Sequence, residues 1–160
     1  MTKAHAALRR GRRSLPGHAY LLTSTTAGRR PLFADADVAF VAARVLADSA
    51  HWAASRVLAW VLMPDHWHAL CVLGEGDTLA RRMGWLKAES ARGLGRRFPA
   101  LGPVWGRAFH DRALRGEDDL RSAARYVVLN PVRAGLVHRI GDYPFWDAVW
   151  MQPGHPDASL

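Results

Sequence analysis

Arg56-Val57-Leu58-Ala59-Trp60-Val61-Leu62-Met63 and His66-Trp67-His68-Ala69-Leu70-Cys71-Val72-Leu73 are two apolar runs rich in strand-forming residues, and Pro64-Asp65 between them supplies turn chemistry. Together they predict a β-hairpin. Upstream, His18 to Thr25 is a short run of Tyr, Leu and Thr ended by Ala27-Gly28, which predicts a first strand. From Asp35 onward Val38, Val41, Val45 and Leu46 recur at helical spacing behind an acidic first turn, giving a first helix that runs to about His51. Downstream of the hairpin, Gly74-Glu75-Gly76 breaks the chain. Leu79, Met83, Leu86 and Leu94 then mark a second helix to about Arg97. Pro99, Gly102, Pro103 and Gly106 make the next stretch a loop, with one or two short strands around Trp105 to Leu114. Glu117-Asp118-Asp119 opens a third helix that runs to about Leu129, and the aromatic tail from Gly141 (Phe145, Trp146, Trp150) is expected to pack back on the domain. The order strand, helix, strand, strand, helix, strand, helix is that of an α+β ferredoxin-like sandwich, an antiparallel sheet with helices packed on one face.

A chain of 160 residues, 49% of them hydrophobic, buries one core and little more. Residues 17–150 are therefore expected to form a single domain, preceded by a basic arm over 1–16 and followed by a tail over 151–160. No apolar run is long enough for a membrane span, and the Arg-rich start leads into Gly17 and polar Thr23 to Thr26 rather than a signal-peptide core. A cytoplasmic, nucleoid-associated location is the expectation. The single cysteine, Cys71, excludes an internal disulfide and a zinc site built mainly on thiolates, and is expected to be a small buried hydrophobe. The formal net charge of +8 calls for a polyanion, with nucleic acid the natural candidate, because neutralising phosphates releases counterions. Twenty of the 22 basic residues are arginine, which suits bidentate phosphate contact but also follows from a GC-rich genome. Arg9, Arg10, Arg12 and Arg13 of the arm, together with Arg81, Arg82, Lys87, Arg107 and Arg112, are assigned to DNA backbone contact, each against its plain reading as a solvated charge. Trp85 and Trp105 could stack bases, but core packing is the expected role of both.

His66 and His68 are one residue apart on a predicted strand, so period-two alternation puts both imidazoles on one face. Two neutral imidazoles so placed can hold one divalent cation. Trp67 points to the opposite face with Cys71, which makes the histidine face the functional one; the bland alternative is a half-exposed pair of sheet histidines. Farther on, Tyr126 and Asn130 lie four apart, so on one helix their side chains share a face. Pro131 pushes the preceding residue out of helical geometry, and Asn130 then caps a second short helix instead. Either arrangement keeps Asn130 at a bend near Tyr126. The bland alternative is a core tyrosine followed by an Asn-Pro turn.

Met63-Pro64-Asp65-His66-Trp67-His68, followed about 60 residues later by Tyr126-Val127-Val128-Leu129-Asn130-Pro131-Val132-Arg133-Ala134-Gly135-Leu136-Val137, resembles the REP-associated tyrosine transposases of the single-tyrosine HUH superfamily. Tyr20-Leu21-Leu22-Thr23-Ser24, Phe33, Trp85-Leu86-Lys87, Trp105 and Asp142-Tyr143-Pro144 fit the same resemblance over about residues 17–150. The resemblance implies that the third helix is catalytic. It makes His66 and His68 metal ligands, Asn130 a third, and Tyr126 the nucleophile that forms a 5′-phosphotyrosine and leaves a free 3′-hydroxyl. It also implies Mg²⁺ or Mn²⁺ as cofactor and single-stranded DNA beside short hairpins as substrate. Asp65 departs from the asparagine common in that family and stands where a carboxylate could tune the site. Two other readings remain: an HUH replication initiator or relaxase-type nickase, and a non-catalytic DNA- or RNA-binding derivative. Asn130-Pro131-Val132-Arg133-Ala134-Gly135 favours the transposase branch. A monomer is expected, because the aromatic tail can cover a surface otherwise available for pairing.

Overall fold

The computed structural model describes residues 14–151. Arg9, Arg10, Arg12 and Arg13, most of the expected arm and the end of the tail lie outside the described residues. Five strands form one antiparallel sheet in the order β4-β1-β3-β2-β5: β1 (Ala19–Thr25), β2 (Arg56–Met63), β3 (His66–Val72), β4 (His110–Ala113) and β5 (Trp146–Ala148). The first four carry the ferredoxin-like arrangement read from the sequence. The hairpin is where that reading is sharpest, with Met63 paired to His66 across Pro64-Asp65. Its β2 strand is an unbroken apolar run because both faces of the sheet are covered there. A register shift between Val57 and Ala59 adjusts which side chains face which layer.

One layer holds α1 (Ala36–Ala47) and α2 (Leu79–Arg97), whose Val38, Ala42, Leu46, Met83, Leu86 and Leu94 pack against Tyr20, Leu22, Trp60, Leu62, Trp67 and Cys71 of the sheet. The other face is covered by α3 (Glu117–Val128), which lays Ala123, Ala124, Val127 and Val128 on Val61, Met63, Leu70 and Ala148. A one-turn helix, α4 (Asn130–Arg133), follows at once. Among the described residues no helix is long and apolar enough to cross a membrane.

Two boundaries differ from the sequence expectation. Helix α1 begins as expected, with the Asp35 carboxylate accepting from the Asp37 and Val38 amides, but it stops at Ala47 rather than His51. Asp48 there caps a new 3₁₀ turn, Ser49–Trp52, which drives Trp52 into the core with its indole N–H on the Leu46 carbonyl at 2.8 Å. A competing Asx cap ended the helix that hydrophobic spacing would have prolonged. The tail does more than pack back. It contributes β5, which pairs with the free edge of β2, and the Tyr143 hydroxyl donates to the Leu62 carbonyl at 2.6 Å. Cys71 is buried, and burial with the Asp77 charge pushes its thiol up to about 12, so it is the inert hydrophobe expected.

Candidate active site

His66 and His68 leave β3 on the face covered by α3, and Trp67 between them is fully buried in the opposite layer. The two imidazole centroids are 4.8 Å apart at 80°. Each ring has a partner at Nδ1. The His66 nitrogen meets the Asp65 carboxylate at 2.7 Å, and that of His68 meets the Thr23 hydroxyl at 2.7 Å from the neighbouring strand. That leaves both Nε2 atoms for something else. Burial, then repulsion from His66, lowers His68 to about 4 against an opposing pull from the Leu22 carbonyl, with Arg133 adding a smaller push downward, so the ring is neutral and able to act as a ligand at physiological pH.

This shift predicts a pH dependence for the metal-free protein. Unfolded His68 takes up a proton near its ordinary value of 6.5, whereas folded His68 resists to about 4, so stability is complete above 6.5 and falls as pH drops between the two. The full effect is roughly 3 kcal/mol. Denaturant melts across this range should show it, and a His68→Gln variant should have a flatter profile.

Tyr126 stands on α3 directly over this pair, with its ring centroid 5.6 Å from that of His68 at 70°. It is 44% exposed. Arg133 lies over the Tyr126 ring, its guanidinium carbon 4.2 Å from the ring centroid, and donates to the Tyr126 carbonyl at 2.6 Å. Arg133 can do so because the chain turns sharply after α3, with Leu129 linking it to α4. Of the two arrangements open for Asn130, the structure has the second short helix, with Asn130 its first residue and Leu129 in the cap position. Asn130 is buried, and among the described residues no hydrogen bond engages its side-chain amide. Among the described residues no group of three or more His, Cys, Asp or Glu side chains is placed to hold a metal ion together. The donor types present suit a divalent cation: two imidazoles whose Nε2 atoms have no hydrogen-bond partner among the described residues, with the buried Asn130 amide at the bend that follows α3.

The family model described as "Transposase IS200 like" matches residues 15–127, from before β1 through both histidines to Tyr126. The chain belongs to the IS200-like transposase family. It is 33% identical over 91 residues to the REP-associated tyrosine transposase of Escherichia coli strain K12, covering 56% of this chain and 52% of that one. A Haemophilus influenzae protein provisionally given the same name is 30% identical over 100 residues, covering 56% and 57%. These matches span about half the length of the curated relatives. Among solved structures, a REP-associated tyrosine transposase bound to a REP hairpin superposes with a TM-score of 0.67 and 26% identity, over 84% of this chain and 79% of that one.

The basic residues singled out by charge divide into two groups. Arg81, Arg107 and Arg112 are exposed, and Arg112 pairs with Leu21 at the β4 edge of the sheet. Arg82 and Lys87 are engaged within the fold. The Arg82 Nε binds the buried Asp77 carboxylate at 2.7 Å and its Nη1 donates to the His51 carbonyl at 2.6 Å, so it ties α2 to the turn after α1. The Lys87 ammonium donates to the Gly106 and Ala108 carbonyls, holding the loop before β4, and burial lowers its pKa. Removing Arg82 strands a buried carboxylate. Arg82→Ala should therefore cost on the order of 3 kcal/mol in a denaturant melt, while Arg81→Ala one position away should stay within about 0.5 kcal/mol.

Trp105 packs on the core as expected, its indole N–H on the Ser90 hydroxyl at 2.9 Å. Trp85 does not: it is 41% exposed, stacked beside His51 and under the Arg82 guanidinium. Thr23, Arg133 and His110 were missed by sequence reasoning. Thr23 pairs with His68 on one side and His110 on the other, which puts His110 on the same sheet face. Period-two alternation along β1 would have found Thr23. The register of a four-residue edge strand leaves no such signal.

Proposed function

We propose that this chain is a metal-dependent, single-stranded DNA endonuclease and transposase that cuts beside hairpins through a covalent bond to Tyr126. The observation that carries this reading is the convergence of His66, His68 and the exposed Tyr126 phenol on one face, with ring centroids 4.8 and 5.6 Å apart in succession. The fit of the chain to a REP-associated transposase solved with its hairpin supports hairpin-bearing single strands as the substrate class.

His66, His68 and Asn130 would hold Mg²⁺ or Mn²⁺. When bound, the cation supplies charge neutralisation at a phosphodiester that otherwise repels a nucleophile. The chain's own residues do the rest. Tyr126 presents its hydroxyl oxygen at the phosphorus, and Arg133 fixes the ring between itself and His68 so that the attacking atom is held in place before the substrate arrives. As the tyrosyl oxygen-phosphorus bond forms, the bond from phosphorus to the 3′ oxygen breaks. The phenol gives up its proton and the departing oxygen takes one up. A 5′-phosphotyrosine and a free 3′-hydroxyl result, so the phosphodiester energy is kept for rejoining, as transposition requires. Exposed Arg81, Arg107 and Arg112 contribute sequence-independent phosphate contacts.

Incubation of the purified protein with hairpin-bearing single strands tests this. Cleavage is expected with Mg²⁺ or Mn²⁺ and should vanish on chelation by EDTA. Binding without cleavage under every metal condition would leave only a DNA-binding module.

A further inference from the structure

The hairpin turn that delivers the histidines also delivers a carboxylate whose two oxygens are both engaged. Asp65 Oδ1 lies 2.7 Å from the His66 Nδ1, and Oδ2 accepts from the Arg29 Nε at 3.2 Å and lies 3.1 Å from its Nη2. The carboxylate thus bridges His66 and Arg29. The ion pair is no stability device, because the Arg29 side chain is 63% exposed and such pairs contribute little. Yet the backbone goes out of its way to make it. Arg29 has φ +53°, a left-handed conformation that non-glycine residues rarely adopt. The segment carrying Arg29 is strapped to the turn by the Thr26 amide and hydroxyl on the Asp65 carbonyl, at 2.9 and 3.1 Å, and by the Phe33 amide on the Pro64 carbonyl at 3.0 Å.

We propose that Asp65, held by Arg29, is a positioning residue that fixes His66 as the Nδ1–H tautomer and so presents its Nε2 lone pair to the catalytic face. A carboxylate can only accept, so the hydrogen between Asp65 and His66 belongs to the imidazole. In water the neutral ring favours the other tautomer, whose Nε2 carries hydrogen and cannot bind a cation. Arg29 holds the carboxylate in its accepting orientation. The use of this tautomer rests on the reading of His66 as a metal ligand, but the tautomer itself is measurable without metal.

Long-range proton-nitrogen spectra of the nitrogen-15-labelled, metal-free protein at mildly alkaline pH, where free imidazole is neutral, report it directly. Wild-type His66 is expected as Nδ1–H. Asp65→Asn keeps the shape but can turn either an oxygen or an NH₂ toward the ring, so His66 should become mixed, and Mn²⁺ affinity by calorimetry should fall about tenfold. Arg29→Gly removes the guanidinium while accepting the positive φ, and should give a smaller loss in the same direction. An Nε2–H signal in wild type, or an Asp65→Asn spectrum and Mn²⁺ affinity identical to wild type, overturns the proposal. Should the tautomer behave as expected while wild type binds no Mn²⁺, the positioning by Asp65 stands and the metal reading of the site falls.

Discussion

A Tyr126→Phe variant should form no protein–DNA species that survives denaturation, where wild type is expected to form one with hairpin-bearing single strands labelled 3′ of the cut. The variant removes one oxygen atom. In the structure the Tyr126 ring, not its hydroxyl, makes the contacts that hold α3 here: an edge contact with His68 and the stack under Arg133. Phe keeps both, and at 44% exposure the lost hydroxyl should change stability by less than about 0.5 kcal/mol. Cleavage should fall by on the order of 10⁴-fold or more, as when a covalent nucleophile is deleted. Hairpin affinity should hold. Mass spectrometry of the wild-type adduct should place the nucleotide on Tyr126 and leave Tyr20 and Tyr143 unmodified. Tyr20 is buried in the core, and the Tyr143 hydroxyl is committed to the Leu62 carbonyl with its pKa pushed up to about 12 by burial. Undiminished cleavage by the Phe variant would make water the nucleophile and the protein a metal-dependent nuclease.

What the sequence disclosed and what it hid follow the reach of each interaction. The hairpin was legible because its two apolar runs and Pro64-Asp65 are local signals, and the side-by-side histidines followed from period-two alternation alone. The pairing of Tyr126 with His68 was not legible in this way, since the residues are far apart in the chain and only the packing of α3 on the sheet joins them. The motif resemblance bridged that gap. Charge was the poorest guide. Arg82 and Lys87 look like surface cations in the sequence, but Asp77 and the carbonyls of the loop before β4 claim them, and those partners become neighbours only on folding. Trp85 failed in the opposite direction: its size suggested core, but the inner face of α2 is already filled by Met83, Leu86 and Leu94. Strand β5 was too short for alternation to reveal, and its residues signalled only that an aromatic tail needed cover.

His66→Ala and His68→Ala should each reduce cleavage by at least on the order of 10²-fold, and the reason separates metal ligation from mere structure. His66 sits at the turn end of β3 with its side chain 17% exposed, so the space that shortening it opens borders solvent. His68 is buried between Thr23 and Tyr126, and its loss opens a space beside the nucleophile. If the two were only packing residues, their variants would differ, with His68→Ala the weaker enzyme in proportion to its lost stability. If they share one cation, neither imidazole can hold it alone, and the variants should be equally inactive despite unequal stability. Thermal melts with and without Mn²⁺ supply the decisive comparison, because a ligand that binds only the folded state raises the midpoint. Wild type should gain stability with Mn²⁺ and both variants should gain none, while all three keep similar affinity for hairpin-bearing strands through phosphate contacts on the rest of the surface. Normal cleavage by either variant in saturating Mn²⁺ would remove that histidine from the ligand set.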